Sequence, residues 1–70
     1  MPRLRRVLAA NMRHFREQRG MSQEDLAAAA NVDRTYVSAL ERARYAATVD
    51  ILERLAGALG IAGAELLRER

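Results

Sequence analysis

The chain has 70 residues, half of them hydrophobic and only 4% aromatic, and it contains no cysteine. This length fits one domain with a modest core, and the lack of cysteine excludes a disulfide framework, a thiolate nucleophile and a zinc knuckle. All twelve basic residues are arginine and the formal charge is +3, a basic excess that suits a polyanionic partner. The lack of cysteine fits a cytoplasmic location, and no apolar run approaches the ~18 residues of a membrane span.

The first predicted helix begins near the start of the chain. Its apolar residues recur three or four positions apart: Leu4, Leu8, Met12 and Phe15. This is the period of one helix face. The helix should end near Arg19, because Gly20 accepts the left-handed conformation that often follows a helix.

The next two helices are short and lie close together in the sequence. Ser22 and Asp25 have the spacing of a capping box, which predicts that helix two starts there and continues through the run Ala27 to Ala30. Asn31 tolerates the left-handed backbone of a tight turn. Asp33 should then cap helix three, with Val37 and Leu40 on its buried side.

The last two helices follow a break at residues 43 to 47. Thr48 should cap helix four, and Gly60 should end it. The buried stripe of helix four is predicted at Leu52, Leu55, Ala56 and Leu59. A short fifth helix over residues 62 to 68 would carry Leu66 and Leu67. These elements predict an all-α fold.

Helices two and three must cross steeply, because only two or three residues join them. Ala27 provides the small side chain that close crossing needs, and Val32 fills the corner. The face of helix three opposite Val37 and Leu40 should project from the domain. It holds four small or polar residues: Arg34, Thr35, Ser38 and Ala39.

This pattern resembles the helix-turn-helix of the phage-repressor-like family, also called the Cro/C1 or xenobiotic-response-element type. The shared spacing involves Gln23, Ala27, Asn31, Val37 and Leu40, and the stretches "MSQEDLA", "RTYVSALER" and "TVDILERLAGALGI" are similar to the family's sequences. The chain departs from the family at Ala43, where glycine is usual, and at Ala46 and Ala47, where Asn-Pro is usual. The resemblance implies a compact five-helix, lambda-repressor-like DNA-binding domain over residues 1–70, with its motif from Gln23 to Arg42.

The resemblance also implies roles for individual residues. Contacts to base edges are expected from Arg34, Thr35, Ser38 and Ala39, and contacts to phosphates from Gln23, Tyr36, Arg42 and Arg44. Arg16 and Glu41 should form a structural ion pair that pins helix three. For Arg3, Arg5, Arg6 and Arg13, two alternatives remain open, namely contact with the DNA backbone and simple solvation.

The resemblance implies a sequence-specific transcriptional regulator that binds double-stranded DNA. It should act as a homodimer on a palindromic operator whose half-sites lie ~34 Å apart, with a dimer surface at Ile61, Leu66 and Leu67, although Leu66 could belong to the core. A restriction–modification controller is the preferred role. A phage-type repressor remains open, as does an antitoxin or other helical protein-interaction module.

An enzymatic role is not expected. The single histidine, His14, has no neighbours at the spacing of metal ligands, and Glu24 and Asp25 point in different directions on a helix. The chain should therefore need no metal, no cofactor and no small-molecule ligand.

Overall fold

The computed structural model describes residues 3–69 of the chain. Five helices occur in this range: α1 (Arg3–Gln18), α2 (Gln23–Ala30), α3 (Arg34–Glu41), α4 (Val49–Leu59) and α5 (Gly63–Leu66). The described residues contain no strand, so the all-α prediction is confirmed. The fifth helix is shorter than predicted, since it forms a single turn.

Side chains cap the starts of α2, α3 and α4, as the sequence predicts. At α2, the hydroxyl of Ser22 accepts a hydrogen bond from the Asp25 amide, and the Asp25 carboxylate accepts one from the Ser22 amide, both at 2.9 Å. The bond from the Ser22 amide, together with the Ser22 hydroxyl beside the carboxylate, stabilises the charged form and lowers the pKa of Asp25 below its ordinary value. The caps of α3 and α4 have one hydrogen bond each: the Asp33 carboxylate accepts from the Thr35 amide, and the Thr48 hydroxyl accepts from the Ile51 amide.

Each of the first four helices is followed, one or two positions after its last residue, by a residue with left-handed backbone. The residue after it donates its amide to a carbonyl five positions back, at 3.0 Å in each case, and this arrangement satisfies carbonyls at the helix end. The four left-handed residues are Gly20, Asn31, Ala43 and Gly60. Glycine and asparagine adopt this conformation readily, but alanine does not. The Cβ of Ala43 makes the left-handed conformation cost about 1–2 kcal/mol.

The core lies between α1, α2, α3 and α4 and is closed at one end by α5. Its largest fully buried side chains are Met12, Leu26, Val37, Leu40, Leu55, Leu59 and Leu66. Each such side chain stabilises the fold by about 1.5–3 kcal/mol relative to full exposure. The stripe of α1 begins at Leu8, one turn later than predicted, because Leu4 is exposed.

The two adjacent leucines at the end of the chain have opposite surroundings. Leu66 is fully buried in the core, whereas Leu67 is 37% exposed. Of the two alternatives left open for Leu66, the structure agrees with the core, so its side chain has no surface to offer a second copy. Leu67 keeps its place on the surface.

The C-terminal segment is fastened to α1 by polar contacts. The buried amide of Asn11 donates to the carbonyls of Leu66 at 2.9 Å and Arg68 at 2.8 Å. An exposed ion pair between Arg3 and Glu69 lies beside them. These contacts hold α5 against the middle of α1. Within residues 3–69, no helix combines the length and the apolar character needed to cross a bilayer.

Candidate nucleic-acid interface

The corner between α2 and α3 has the geometry expected from its residues. Ala27 is buried where the helices approach each other, and Asn31 is left-handed. The amide of Val32 donates to the carbonyl of Ala27 at 3.0 Å. Val37 and Leu40 face inward and are fully buried. Because α3 is fixed on that side, its opposite side projects from the protein.

The projecting face of α3 is narrower than the sequence predicts. Arg34 and Thr35 are exposed and Ser38 is half-buried, so these three side chains remain available to a ligand. Ala39 is only 4% exposed, and its carbonyl accepts a hydrogen bond of 3.0 Å from the Arg44 amide in the loop after α3. The expected base contact of Ala39 is therefore corrected: its methyl group has little surface to offer.

A buried ion pair holds the end of α3 against α1. The guanidinium of Arg16 donates to both carboxylate oxygens of Glu41, at 2.7 Å through Nε and at 3.0 Å through Nη2. A third bond of 2.9 Å joins its Nη1 to the carbonyl of Met21. The side chain of Glu41 is 1% exposed and that of Arg16 is 13% exposed.

The ion pair between Arg16 and Glu41 shifts the pKa of Arg16 and includes a third side chain, that of Gln23. The hydrogen bond to Glu41 raises the pKa of Arg16 above its ordinary value. The Gln23 amide nitrogen donates to the same carboxylate at 3.1 Å. The network thus links α1, the first residue of α2 and the last residue of α3. Gln23, expected to bind a phosphate, has one amide proton committed to Glu41 and one left for a ligand.

The other residues expected at phosphates differ in their availability. The hydroxyl of Tyr36 donates to the carbonyl of Ala46 at 3.1 Å, so this tyrosine supports the loop after α3 and would have to exchange that bond for a phosphate. Arg42 and Arg44 are exposed, and no ion pair within residues 3–69 involves them. Both guanidinium groups are free to meet an anion.

Two features of the surface escape the sequence analysis. One is an apolar groove of about 200 Å³ whose lining includes Leu4, Leu8, Val49, Leu52 and Leu67. Val49 is 80% exposed. It stands at the first position of α4, outside any periodic stripe, so no pattern marks it. The other is Tyr45, which is exposed beside Tyr36 with 6.3 Å between the ring centroids.

The described residues offer no sign of a metal centre. Residues 3–69 contain no group of three histidine, cysteine, aspartate or glutamate side chains that could hold a metal ion. The His14 ring packs edge-on against Phe15, with 5.1 Å between the centroids. This contact accounts for the histidine as a packing residue of α1.

A protein-family model described as helix-turn-helix matches residues 12–66 of the chain. Among curated proteins, the Neisseria hypothetical transcription factor of Neisseria meningitidis serogroup B is 53% identical over 64 residues, which are 91% of this chain and 60% of that protein. The chain thus spans less than two thirds of the length of that relative. Control protein C.SmaI of Serratia marcescens is 36% identical over 91% of this chain and 76% of its own length.

Solved structures show the same likeness in three dimensions. The crystal structure of the Neisseria transcription factor NHTF superposes with a TM-score of 0.90 at 52% identity, covering 93% of this chain and 75% of that one. The restriction-modification controller protein C.AhdI from Aeromonas hydrophila superposes with a TM-score of 0.86 at 34% identity, covering 89% of this chain and 94% of that one. These relatives are named as transcription factors or controllers, and none is named as an enzyme.

Proposed function

This chain belongs to the Cro/C1-type helix-turn-helix family of DNA-binding transcription regulators, and we propose that it is a cytoplasmic regulator that reads a specific operator sequence through α3. One observation carries the proposal. Arg34 and Thr35 are exposed at the start of a helix whose other end is fixed by a buried ion pair. A rigid helix with a free guanidinium at its tip suits recognition of guanine in the major groove.

The size of the protein supports binding as a homodimer. Its longest dimension is 27 Å, whereas half-sites on one face of the duplex lie ~34 Å apart. One copy therefore reaches one half-site, and two copies related by a twofold axis read a palindrome. The apolar groove supplies the surface that a second copy would cover, with Leu67 and Val49 as its exposed contacts. Ile61, also expected at the interface, is half-buried against the core.

We further propose that the regulated genes belong to a restriction–modification operon. The support is the similarity to C.SmaI and C.AhdI, the second of which is matched over 94% of its length. This role rests on likeness to those proteins rather than on any residue of the interface. A methyltransferase or endonuclease gene beside the coding gene would favour it, and a toxin gene would favour an antitoxin instead.

Binding-site selection from random duplexes tests the DNA-reading proposal. The wild-type protein should enrich a palindrome. Arg34→Ala removes a fork that donates two hydrogen bonds to one guanine, so affinity should fall by about 1–3 kcal/mol at one base position of each half-site. Arg44→Ala is the matched control: it should weaken all sequences alike and reduce the salt slope by about one unit. Unchanged base preferences in Arg34→Ala would contradict the docking of α3.

A further inference from the structure

We propose that α1 supplies a contact to the DNA backbone through Arg5, so that the interface extends beyond the helix-turn-helix. The inference rests on the proposed function and adds a residue whose role the sequence leaves open. It separates Arg5 from Arg3, which lies two positions away on the same helix and is paired with Glu69. The argument depends on which arginines are already satisfied within the protein and on where the others lie.

The arginines of the described residues fall into two groups. The first group has partners: Arg3, Arg16 and Arg68 pair with glutamates, Arg13 lies 3.8 Å from Glu41, and Arg19 and Arg54 donate to carbonyls. The second group has neither kind of contact within residues 3–69. Its members are Arg5, Arg6, Arg34, Arg42 and Arg44. Three of these belong to α3 or to the loop after it, and two belong to the first turn of α1.

Arg5 meets two of the unpaired arginines in one groove. The groove has a volume of about 760 Å³. Its lining contains three arginines, Arg5, Arg42 and Arg44, together with Thr35, Ala39, Ala43 and Tyr45. No acidic side chain lines it. Three guanidinium groups that face one space without a counter-charge repel one another, and a polyanion entering that space would relieve the repulsion. The groove is therefore built for a negatively charged ligand.

The position of the groove favours the DNA backbone as that ligand. Thr35, on the exposed face of α3, forms part of its wall, so a duplex seated on α3 must pass over it. Arg34 and Arg42 lie one helix length apart, about 12 Å, which is close to the width of the major groove. When Arg34 contacts bases, the far end of α3 reaches the edge of the groove, where phosphates run. Arg5 lines the same groove as Arg42 and Arg44, which follow that end.

The side chain of Arg5 is also partly covered by the protein before binding. Arg5 is half-buried and lines both the basic groove and the neighbouring apolar groove. Its methylene stem can thus pack beside Leu4 and Leu8 while the guanidinium faces the basic side. A stem that is packed in the free protein loses less entropy when the guanidinium binds an anion.

The test compares Arg5→Gln with Arg3→Gln on a duplex of random sequence about 30 base pairs long, since a phosphate contact is independent of sequence. Dissociation constants are measured from about 50 to about 200 mM salt, after melting curves show that each variant is folded. Loss of one phosphate contact makes the log–log slope shallower by about 0.9, so the fourfold rise in salt should weaken Arg5→Gln about 3.5-fold less than the wild type. Arg3→Gln should keep the wild-type slope, as should Arg5→Lys, which retains the charge.

The outcomes separate this inference from the proposed function. A steep wild-type slope with the same slope in Arg5→Gln would overturn the role of Arg5 alone. A wild type that shows no salt-dependent binding to any duplex would remove the proposed function itself. If Arg5→Gln keeps the DNA slope but loses binding to a polyglutamate peptide, the groove serves an acidic protein surface and the inference is wrong.

Discussion

Removal of Arg16 should destabilise the protein far more than removal of any exposed arginine. In Arg16→Ala, the carboxylate of Glu41, which is 1% exposed, loses two hydrogen bonds and its neutralising charge. The Met21 carbonyl loses a donor at the same time. The remaining donor to Glu41 is the neutral amide of Gln23, and the guanidinium of Arg13 is 3.8 Å away. An incompletely compensated charge stays inside the protein.

The size of the effect follows from this burial. Breaking a buried ion pair from one side costs about 3–5 kcal/mol. Because Arg16 is itself 13% exposed and water can enter the vacated space, we expect a loss near the lower limit, about 3 kcal/mol. A chain of this length has a total stability of roughly 3.5–10 kcal/mol. Each kcal/mol of lost stability lowers the melting temperature of a domain of this size by about 4–8 °C, so the melting temperature of Arg16→Ala should fall by about 12–24 °C.

Thermal and urea unfolding followed by circular dichroism would measure this loss. Arg3→Ala is the matched control, since it breaks an exposed pair in the same helix and should cost less than about 1 kcal/mol. The double variant Arg16→Met/Glu41→Leu removes both charges, and its stability should lie within about 1 kcal/mol of the wild type or above it. If Arg16→Ala costs no more than Arg3→Ala, the pair does not anchor α3.

Two further predictions concern the dimer and the start of α2. Leu67→Asp places a charge in the proposed apolar contact, so sedimentation should show a weaker dimer with unchanged helix content, whereas an undisturbed dimer would locate the interface elsewhere. Asp25→Asn removes a carboxylate whose pKa is lowered in the folded protein. Its stabilisation is present above the ordinary pKa of ~3.9 and is lost as the pH falls through the lowered value, so the melting curves of variant and wild type should differ at neutral pH and converge in acid.

Helix boundaries and the corner could be predicted from the sequence because capping chemistry is local. The hydrogen bonds that cap the helices at Ser22, Asn31 and Gly60 join residues no more than five positions apart, so the local sequence is enough to predict them. The side-chain directions of Leu66 and Ala39 could not be predicted in this way. A single-turn helix has no period from which to assign Leu66. The burial of Ala39 depends on tertiary packing near the end of α3, where Ala43 holds a conformation that alanine rarely adopts.

The surface features have a different reason for escaping prediction. The apolar groove combines the start of α1, the loop before α4 and Leu67, and the basic groove combines Arg5 of α1 with α3 and the loop after it. Residues that are distant in sequence meet there, and no spacing rule connects them. The charge of the N-terminal arginines was evident from the letters, but which of them lack a partner became evident only from Glu69 and Glu41.

The contact between Asn11 and the last residues of the chain has a consequence for folding kinetics. Much of the packing joins helices that are not consecutive in the chain, such as α2 with α4 and α1 with α3, and the contact of α1 with α5 joins the first helix to the last. Contacts between residues distant in sequence form more slowly than local ones. The two bonds from Asn11 span 55 and 57 residues, so the loop that they close is among the most costly in the fold and should form after the barrier. Interactions made late mainly slow unfolding. Substitution of Asn11 should therefore shorten the lifetime of the folded state while leaving its rate of formation nearly unchanged.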